Sequence, residues 1–471
     1  MVASRPLAAL ASAVLLGLAL PSDVRSASLP SGARFSESGA EAIVGPLTLA
    51  SGPHWWRIFA DPILDDLVAR GSRDSVGVEE ATARLAQARA HLIAADAARR
   101  PTVTLDASVS DQAGPLINAV GGAGGLAVAS ARLSYELDIF GRLSKAREAV
   151  RSDVRAGEAL LQDARLLSQA EIVRSYLTLR IGDEDARLLR DAAQSAGESL
   201  RITEGRRQSG FETDLGVDRA QAELGALGSE ALSVERRRHE LEHALGFLVG
   251  DPGLSVAPAM AALDAPPLIP ADLPSAVLAR RPDVAAAQKA VNATQLRLGV
   301  ARTAWLPSLT LTASGGFASP QLSSLISSSV RSLGLDLLMA LPPFDGGRRK
   351  SGIASARADL DLAQAHYRRQ VLTAFRDVDD QLSALRLLAE QSAVADRTLV
   401  SADRVLALST SRRGNGLASQ LEVLDARRAD LRERRMVLQV RGARYLATVN
   451  LIQAVGGGWD ASAQVEPQES E

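Results

Sequence analysis

The sequence predicts a membrane α+β fold: a symmetric β-barrel that one chain cannot complete, continued by a tube of very long helices. Three observations predict it. Positions repeat at a constant offset of 206, from Ala98 with Ala304 through Pro101 with Pro307, Gly210 with Gly416 and Val217 with Val423 to Gly250 with Gly456, which marks an internal duplication. Residues 116–251 and 344–466 contain no proline, so each copy has room for uninterrupted helix. Four segments alternate apolar and polar residues with the period of a strand.

Composition narrows the function classes. The chain has 471 residues, a formal net charge of −2 and no cysteine. Length alone would suggest about three domains; the duplication replaces that with two copies of one unit. The charge gives no electrostatic footprint for nucleic acid. Without cysteine there is no disulfide, thiolate metal site or cysteine nucleophile. Aromatic residues make up only 3%, poor for a compact core but suited to close helix–helix packing.

The N-terminus reads as an address. Residues 1–26 have the form of a secretory signal: Arg5, the apolar run Leu7–Leu20, Pro21, and Val24-Arg25-Ser26 before the expected cleavage site. An N-terminal anchor helix is the alternative, but the run is short for a bilayer span. Residues 27–75 follow as an N-terminal segment with equatorial elements.

Repeat 1 covers 76–250 and repeat 2 covers 282–456. Each opens with a helix, 76–99 or 282–304, that stops before Pro101 or Pro307, because the residue before proline avoids the helical region. Two strands follow in each copy, 102–110 and 130–139, then 308–317 and 332–341. In 102–110, Val103, Leu105, Ala107 and Val109 share one face, while Thr102, Thr104, Asp106 and Ser108 share the other. A soluble sheet with one wet face would read the same way. Strands of this length also fit barrel staves crossing a bilayer, in which case Asp106, Arg132, Glu136, Asp138 and Asp336 face the lumen. The stretch Gly121–Gly125 reads as a flexible loop between strands, since no phosphate-loop lysine follows it.

The long helices set the scale. Residues 142–208 and 348–413 are each expected to form a rod of roughly 100 Å. Second helices, 214–249 and 418–455, follow glycine turns. In 214–249 a seam of Val217, Ala220, Leu224, Leu227, Ala231, Val234, Arg238, Leu241, Leu245 and Leu248 recurs every three and four residues, as in a coiled coil, with Arg238 its polar interruption. The segment 251–281 is a proline-rich linker, and 457–471 a tail.

His239-Glu240-Leu241-Glu242-His243 matches the H-E-x-x-H zinc pattern. The seam places both histidines away from the packed side, three arginines precede them, and no third ligand is evident. No catalytic residue, cofactor or metal is therefore assigned, and the chain is read as a non-enzyme. Arg206-Arg207 and Arg412-Arg413 precede the turns at Gly210 and Gly416, where cations and a glycine suit a helix C-terminus. Four membrane strands leave open edges, costly in lipid, so other copies must close the barrel.

Several stretches resemble the TolC-like outer-membrane efflux proteins, in particular the NodT-type branch. They are Trp55–Pro62 with Leu64-Asp65-Asp66-Leu67; Tyr135–Arg142, echoed by Pro343–Arg348; and Leu273-Pro274-Ser275 followed by Arg280-Arg281-Pro282-Asp283-Val284. The resemblance implies a homotrimer whose four strands per chain make a twelve-stranded barrel in the outer membrane of a Gram-negative bacterium. It also implies a periplasmic α-barrel, an equatorial band, a periplasmic membrane-fusion adaptor and an inner-membrane resistance-nodulation-division pump as partners. Arg207, Gly210, Arg413, Gly416, Ser419 and Leu421 would then lie at the adaptor-facing tips, and Glu422 and Asp425 at an acidic aperture. In copy one Gly216 and Asp218 take the corresponding places, leaving only Asp218 acidic. Branch members commonly carry an acylated N-terminal cysteine; this chain has none, so no lipid anchor is expected. The expected function is a passive exit channel for small toxic compounds. A duct for type I protein secretion and a soluble periplasmic coiled-coil scaffold are the alternatives.

Overall fold

The computed structural model describes residues 54–113, 123–258, 280–319 and 331–457. The expected signal segment, most of the 27–75 segment, the centre of the 251–281 linker and nearly all of the 457–471 tail lie outside them.

A 3-10 turn, Trp55–Phe59, leads into α1, Pro62–Asp74. Asp61 starts α1 by accepting the Ile63 and Leu64 amides at 2.9 and 3.4 Å, and Pro62 sits where its missing N–H costs nothing. Helix α2, Val76–Ala97, ends ahead of Pro101. The strands are β1, Thr102–Ala113, and β2, Ala123–Leu137. Helices α3, Arg142–Gln208, and α4, Asp214–Val249, complete the first copy. The second repeats the order: α5, Pro282–Thr303; β3, Ser308–Ser319; β4, Arg331–Ala340; α6, Arg348–Gly414; α7, Gln420–Ala454.

Strand bounds differ from the sequence reading at β2. It begins at Ala123, because Asp111, Gln112 and Ala113 of β1 still need backbone partners and find Gly125, Gly124 and Ala123. The later part of the expected glycine loop is therefore strand. At its other end β2 stops at Leu137, two residues early. Asp138 instead turns to the helix: its carboxylate accepts the Leu143 and Ser144 amides at 2.9 and 2.8 Å, satisfying donors that the start of α3 leaves open.

The sheet is antiparallel in the order β1-β2-β3-β4. Its register lines up residues of like polarity. Thr102, Ser134, Thr312 and Asp336 form one row across all four strands; Thr104, Arg132, Ser314 and Gly334 form the next. On the opposite face Val103, Leu133, Ala313 and Leu335 align, as do Leu105, Ala131, Gly315 and Leu333. Leu105 and Leu333 are 82% and 93% exposed, on an apolar face that no other described element covers.

Helices α3 and α6 each run 67 residues, about 100 Å at 1.5 Å per residue. Helix α3 packs on α2, α4, α5 and α7, and α6 packs on α5 and α7. Apolar packing concentrates midway along the rods, where Trp55, Trp56, Leu64, Ile172, Val173, Tyr176, Leu245 and Val449 are buried together. The opening motif is thereby clasped to α3: Trp55 Nε1 donates to Gln169 Oε1 at 3.2 Å, and Tyr176 Oη donates to Asp61 Oδ2 at 2.6 Å. Arg238, the polar interruption of the α4 seam, is also committed. It donates to Asp183 at 2.7 Å, lies 2.8 Å from Glu242 and reaches the Val256 carbonyl. Among the described residues no helix is long and apolar enough to cross a membrane.

Candidate functional site

Two regions hold the residues singled out by sequence: the polar face of the sheet and the two helical turns at the far end of the rods.

On the sheet, Asp106 pairs with Ser130, Arg132 with Thr104 and Ser314, Glu136 with Thr310, and Asp336 with Thr312. The register therefore brings Asp106, Arg132, Glu136 and Asp336 to one face. Asp138 does not belong to that set, because it caps α3 beyond the end of β2. Glu136 is held from the helix side by Arg142, which donates to its two oxygens at 2.8 and 2.7 Å. The second copy has its own fastening: Arg349 donates to Asp345 at 2.8 Å and stacks over Trp305 at 4.2 Å. A charged pair thus sits at the entry to the long helix of each copy, from strand β2 to α3 in the first and from the turn before α6 in the second, and the sequence reading missed the roles of Arg142 and Arg349. The signal was an arginine just inside each helix behind an Asp-containing turn.

The two turns at the rod ends share one hydrogen-bond scheme. In the first, the Phe211 amide donates to the Arg206 carbonyl at 2.8 Å and the Gly210 amide to Arg207 at 2.9 Å. In the second, Leu417 donates to Arg412 at 2.8 Å and Gly416 to Arg413 at 3.0 Å. Gly210 and Gly416 take φ of 76° and 75°, left-handed backbone that glycine adopts without cost. Thr213 and Ser419 then cap the next helices, accepting the Gly216 and Glu422 amides at 3.3 and 3.1 Å. Phe211 and Leu417 project at the same place on each turn, 76% and 69% exposed; sequence reasoning passed over both.

The two caps fix the correspondence between copies. Counting from Thr213 and Ser419, Glu422 matches Gly216, and Asp425 matches Arg219. Asp218 corresponds to Leu424, which is buried, so Asp218 is the counterpart of neither Glu422 nor Asp425. Copy one places no carboxylate at either matching position. Glu422 lies 3.9 Å from Arg412, and Asp425 lies 3.7 Å from Arg428. Arg428 also pairs with Glu223 of α4. Arg427 donates to the Ser195 carbonyl at 3.3 Å, and Gln420 to Ser199 Oγ at 2.8 Å. The first turns of α7 are in this way tied to the first hairpin. Of the other tip candidates, Arg207 pairs with Asp214 and Arg413 donates to the Ala418 carbonyl at 3.4 Å. Leu421 is exposed.

The H-E-x-x-H stretch is taken up by other contacts. Glu240 pairs with Arg236 at 2.5 Å, and His239 Nδ1 lies 3.1 Å from Glu242 Oε2. Burial alone would raise the Glu242 carboxyl, but the Val256 amide, Arg238 and His239 outweigh it and hold the group below the usual range. Among the described residues no three histidine, aspartate or glutamate side chains converge as for a metal ion.

Comparison with known proteins gives one consistent result. The family model described as outer membrane efflux protein matches residues 73–251 and 273–457. The pyoverdine export outer membrane protein OpmQ of Pseudomonas aeruginosa is 30% identical over 87% of this chain and 88% of its own. The probable outer membrane lipoprotein SilC of Salmonella typhimurium is 26% identical over 86% and 88%. The solved structure of the outer-membrane channel OprN superposes with a TM-score of 0.81 at 28% identity, covering 86% of this chain and 92% of that one. The expectation of an unanchored N-terminus falls outside the described residues, and SilC is itself called a lipoprotein.

Proposed function

The chain belongs to the outer membrane efflux protein family, and from that premise we propose that it is the exit channel of a tripartite efflux system. It stands in the outer membrane of a Gram-negative bacterium and passively conducts small toxic compounds outward. The observation that carries this reading is the sheet. Its edge strands β1 and β4 have no partner on their outer sides within the four-strand order; one face carries Asp106, Arg132, Glu136 and Asp336 among mostly polar or small neighbours, with Val128 and Leu338 among the larger apolar exceptions, and the other exposes Val103, Leu105, Leu333 and Leu335. In lipid such a sheet is stable only when closed. Three chains supply twelve strands, wide enough for a lumen lined by Asp106, Arg132, Glu136 and Asp336.

The helices support the same assembly. Helix α6 exposes Leu362, Leu372, Leu387, Val394, Val405 and Leu408 along its length, while α2 exposes Ile93 and α4 exposes Leu232 and Phe247. A second and third copy would cover these stripes, as burial of apolar surface favours. At the rod ends, Arg207, Gly210, Arg413, Gly416, Ser419 and Leu421, with Phe211 and Leu417 beside them, form the surface for a periplasmic membrane-fusion adaptor. Glu422 and Asp425 of the second copy form the acidic constriction. Energy comes from an inner-membrane resistance-nodulation-division pump.

The test is made on the full-length protein in detergent and in planar bilayers. A trimer that inserts and gives discrete conductance steps supports the reading. A monomer that salt alone extracts from membranes overturns it. Deleting the gene should cause hypersensitivity to several small toxic compounds with protein export unchanged; lost protein export with normal resistance would favour a type I secretion duct instead.

A further inference from the structure

The register that builds the sheet also gathers its four connections to the tube at one end. Thr102 pairs with Ser134, Leu137 with Leu309, and Ser308 with Ala340. The ends of α2 and α5 and the starts of α3 and α6 therefore meet there. Contacts between the connections hold them together: Arg147 of α3 donates to Asp96 of α2, and Arg349 of α6 stacks over Trp305, just past α5.

Charge is one-sided at this level. Residues 96–101, 136–147, 302–307 and 341–350 hold nine arginines and lysines against four carboxylates, in a chain whose formal net charge is −2. All four carboxylates are engaged. Asp96 is bound by Arg147, Glu136 by Arg142 and Asp345 by Arg349, and Asp138 accepts the α3 amides. Arg100, Lys145, Arg302, Arg348 and Lys350 are exposed, and among the described residues they form no ion pair. Helix stability does not account for them. The first turns of α3 and α6 hold no acidic residue, and cations at that end oppose the helix dipole. Nor does another copy supply the missing anions at this level, because symmetry brings the same four carboxylates, already engaged.

Apolar groups share the level. Leu341 extends the apolar row of Leu337 and Met339, and Ile139, Trp305 and Phe344 are exposed in the same connections, Phe344 by 88%. Aromatic side chains at the end of a membrane strand rest at the depth of the lipid headgroups. We propose that this level binds the phosphates of anionic phospholipids in the periplasmic leaflet, with the five unpaired basic residues as the cations. Each arginine can offer a phosphate two parallel donors, and the lysines add point charge. The surface is continuous with the lipid-facing side of the sheet, so the lipid ring fixes how deep the barrel sits. The proposal rests on the outer-membrane reading above and adds to it the class of lipid at the inner rim.

The test uses the full-length protein reconstituted into vesicles of phosphatidylcholine alone or of equal parts phosphatidylcholine and phosphatidylglycerol. Flotation with both kinds of vesicle is what the channel reading requires. Protein that floats with neither overturns that reading and the proposal with it. Floated protein is then extracted in mild detergent, and its bound lipids are counted by mass spectrometry. From the mixed vesicles it should retain phosphatidylglycerol over phosphatidylcholine by on the order of tenfold, and the preference should shrink as salt rises. Combining Arg100→Gln, Lys145→Gln, Arg302→Gln, Arg348→Gln and Lys350→Gln should bring the ratio to parity. Combining Arg237→Gln, Arg404→Gln and Arg432→Gln, at exposed cations of the tube, should leave it unchanged. Vesicle-bound protein that retains both lipids equally overturns the proposal alone. So does a preference that survives the five substitutions, or that falls equally with the tube set. Displacement of the lipid by inorganic phosphate at matched concentration marks a free-anion site and overturns the lipid assignment. Should the combined variant fail to assemble, the salt series on the unaltered protein decides, and a preference independent of salt overturns the proposal.

Discussion

Tyr176 donates its phenolic hydrogen to Asp61 at 2.6 Å, joining the residue that starts α1 to the middle of a 67-residue rod. Arg180 approaches the same Asp61 oxygen at 3.2 Å and the Tyr176 oxygen at 3.0 Å. Three side chains from two segments far apart in sequence thus close a small network beside the buried Trp55 and Trp56. Hydrogen bonds to charged groups are worth about 1.5–3 kcal/mol. Tyr176→Phe should therefore lower stability by about 2 kcal/mol, read as an earlier midpoint in denaturant-induced loss of tryptophan fluorescence. A midpoint unchanged from the unaltered protein would show that packing alone holds the opening motif.

Asp163 gives the equator a pH response. It sits half-buried on α3, facing Asp283. Burial, then the Asp283 charge, push its carboxyl up to about 6 against the attraction of Arg281. Arg281 is already bound by Asp283 at 2.8 Å and lies 3.3 Å from Asp377, so Asp163 is the surplus carboxylate. Its pKa is raised on folding, so the folded chain binds the proton more tightly than the unfolded one. Its contribution is most favourable below the unfolded value of 3.8 and is lost as pH rises through about 6. Asp163→Asn should match the unaltered protein near pH 4 but exceed it near pH 7.5, by on the order of 1 kcal/mol after allowance for solvent screening. Thermal unfolding at both pH values measures this; equal curves at the higher pH would remove Asp163 from the account.

Gly316 marks a place where the sheet tolerates no side chain. A Cβ built there would lie 2.6 Å from the Ala129 carbonyl oxygen and 2.9 Å from Ser130 Cβ, and backbone cannot yield as a flexible side chain does. Gly316→Ala should break the β2–β3 ladder near Ser130 and prevent barrel closure. The protein should then run as monomer in mild detergent, whereas Gly182→Ala, at a position with open space around it, should assemble normally. A stable oligomer in Gly316→Ala would show that the ladder can shift.

What the sequence made legible was whatever repeats. Strand polarity in Val103 and Thr104, the stops at Pro101 and Pro307, and the turns at Gly210 and Gly416 follow from local rules that act within a few residues. The tertiary partners were not legible. Asp138 alternates perfectly with its strand neighbours, yet the open amides of α3 take its carboxylate. Asp403 of α6 and Arg434 of α7 pair only because a helical hairpin folds back at Gly416. The match of Arg219, not Asp218, to Asp425 was legible, because it follows from the same offset of 206 that pairs Val217 with Val423. A one-dimensional period reports which face a residue occupies, but not which group waits there.

The acids near the second turn yield the last prediction. Glu422 and Asp425 are paired at the surface with Arg412 and Arg428 at 3.9 and 3.7 Å, and exposed pairs of this kind contribute only about 0.2–1 kcal/mol. Replacing both with Ala should therefore leave the fold and assembly intact. If three copies bring these carboxylates around one opening, their removal lowers the local negative potential. Single-channel conductance in a planar bilayer should rise, and block by multivalent cations should weaken. The effect should be largest at low ionic strength, because at 0.1 M salt the Debye length is only about 10 Å. Adding a carboxylate to the first turn by Arg219→Asp should act in the opposite sense, strengthening cation block. Conductance and block unchanged in both variants would place the constriction at another ring of the tube.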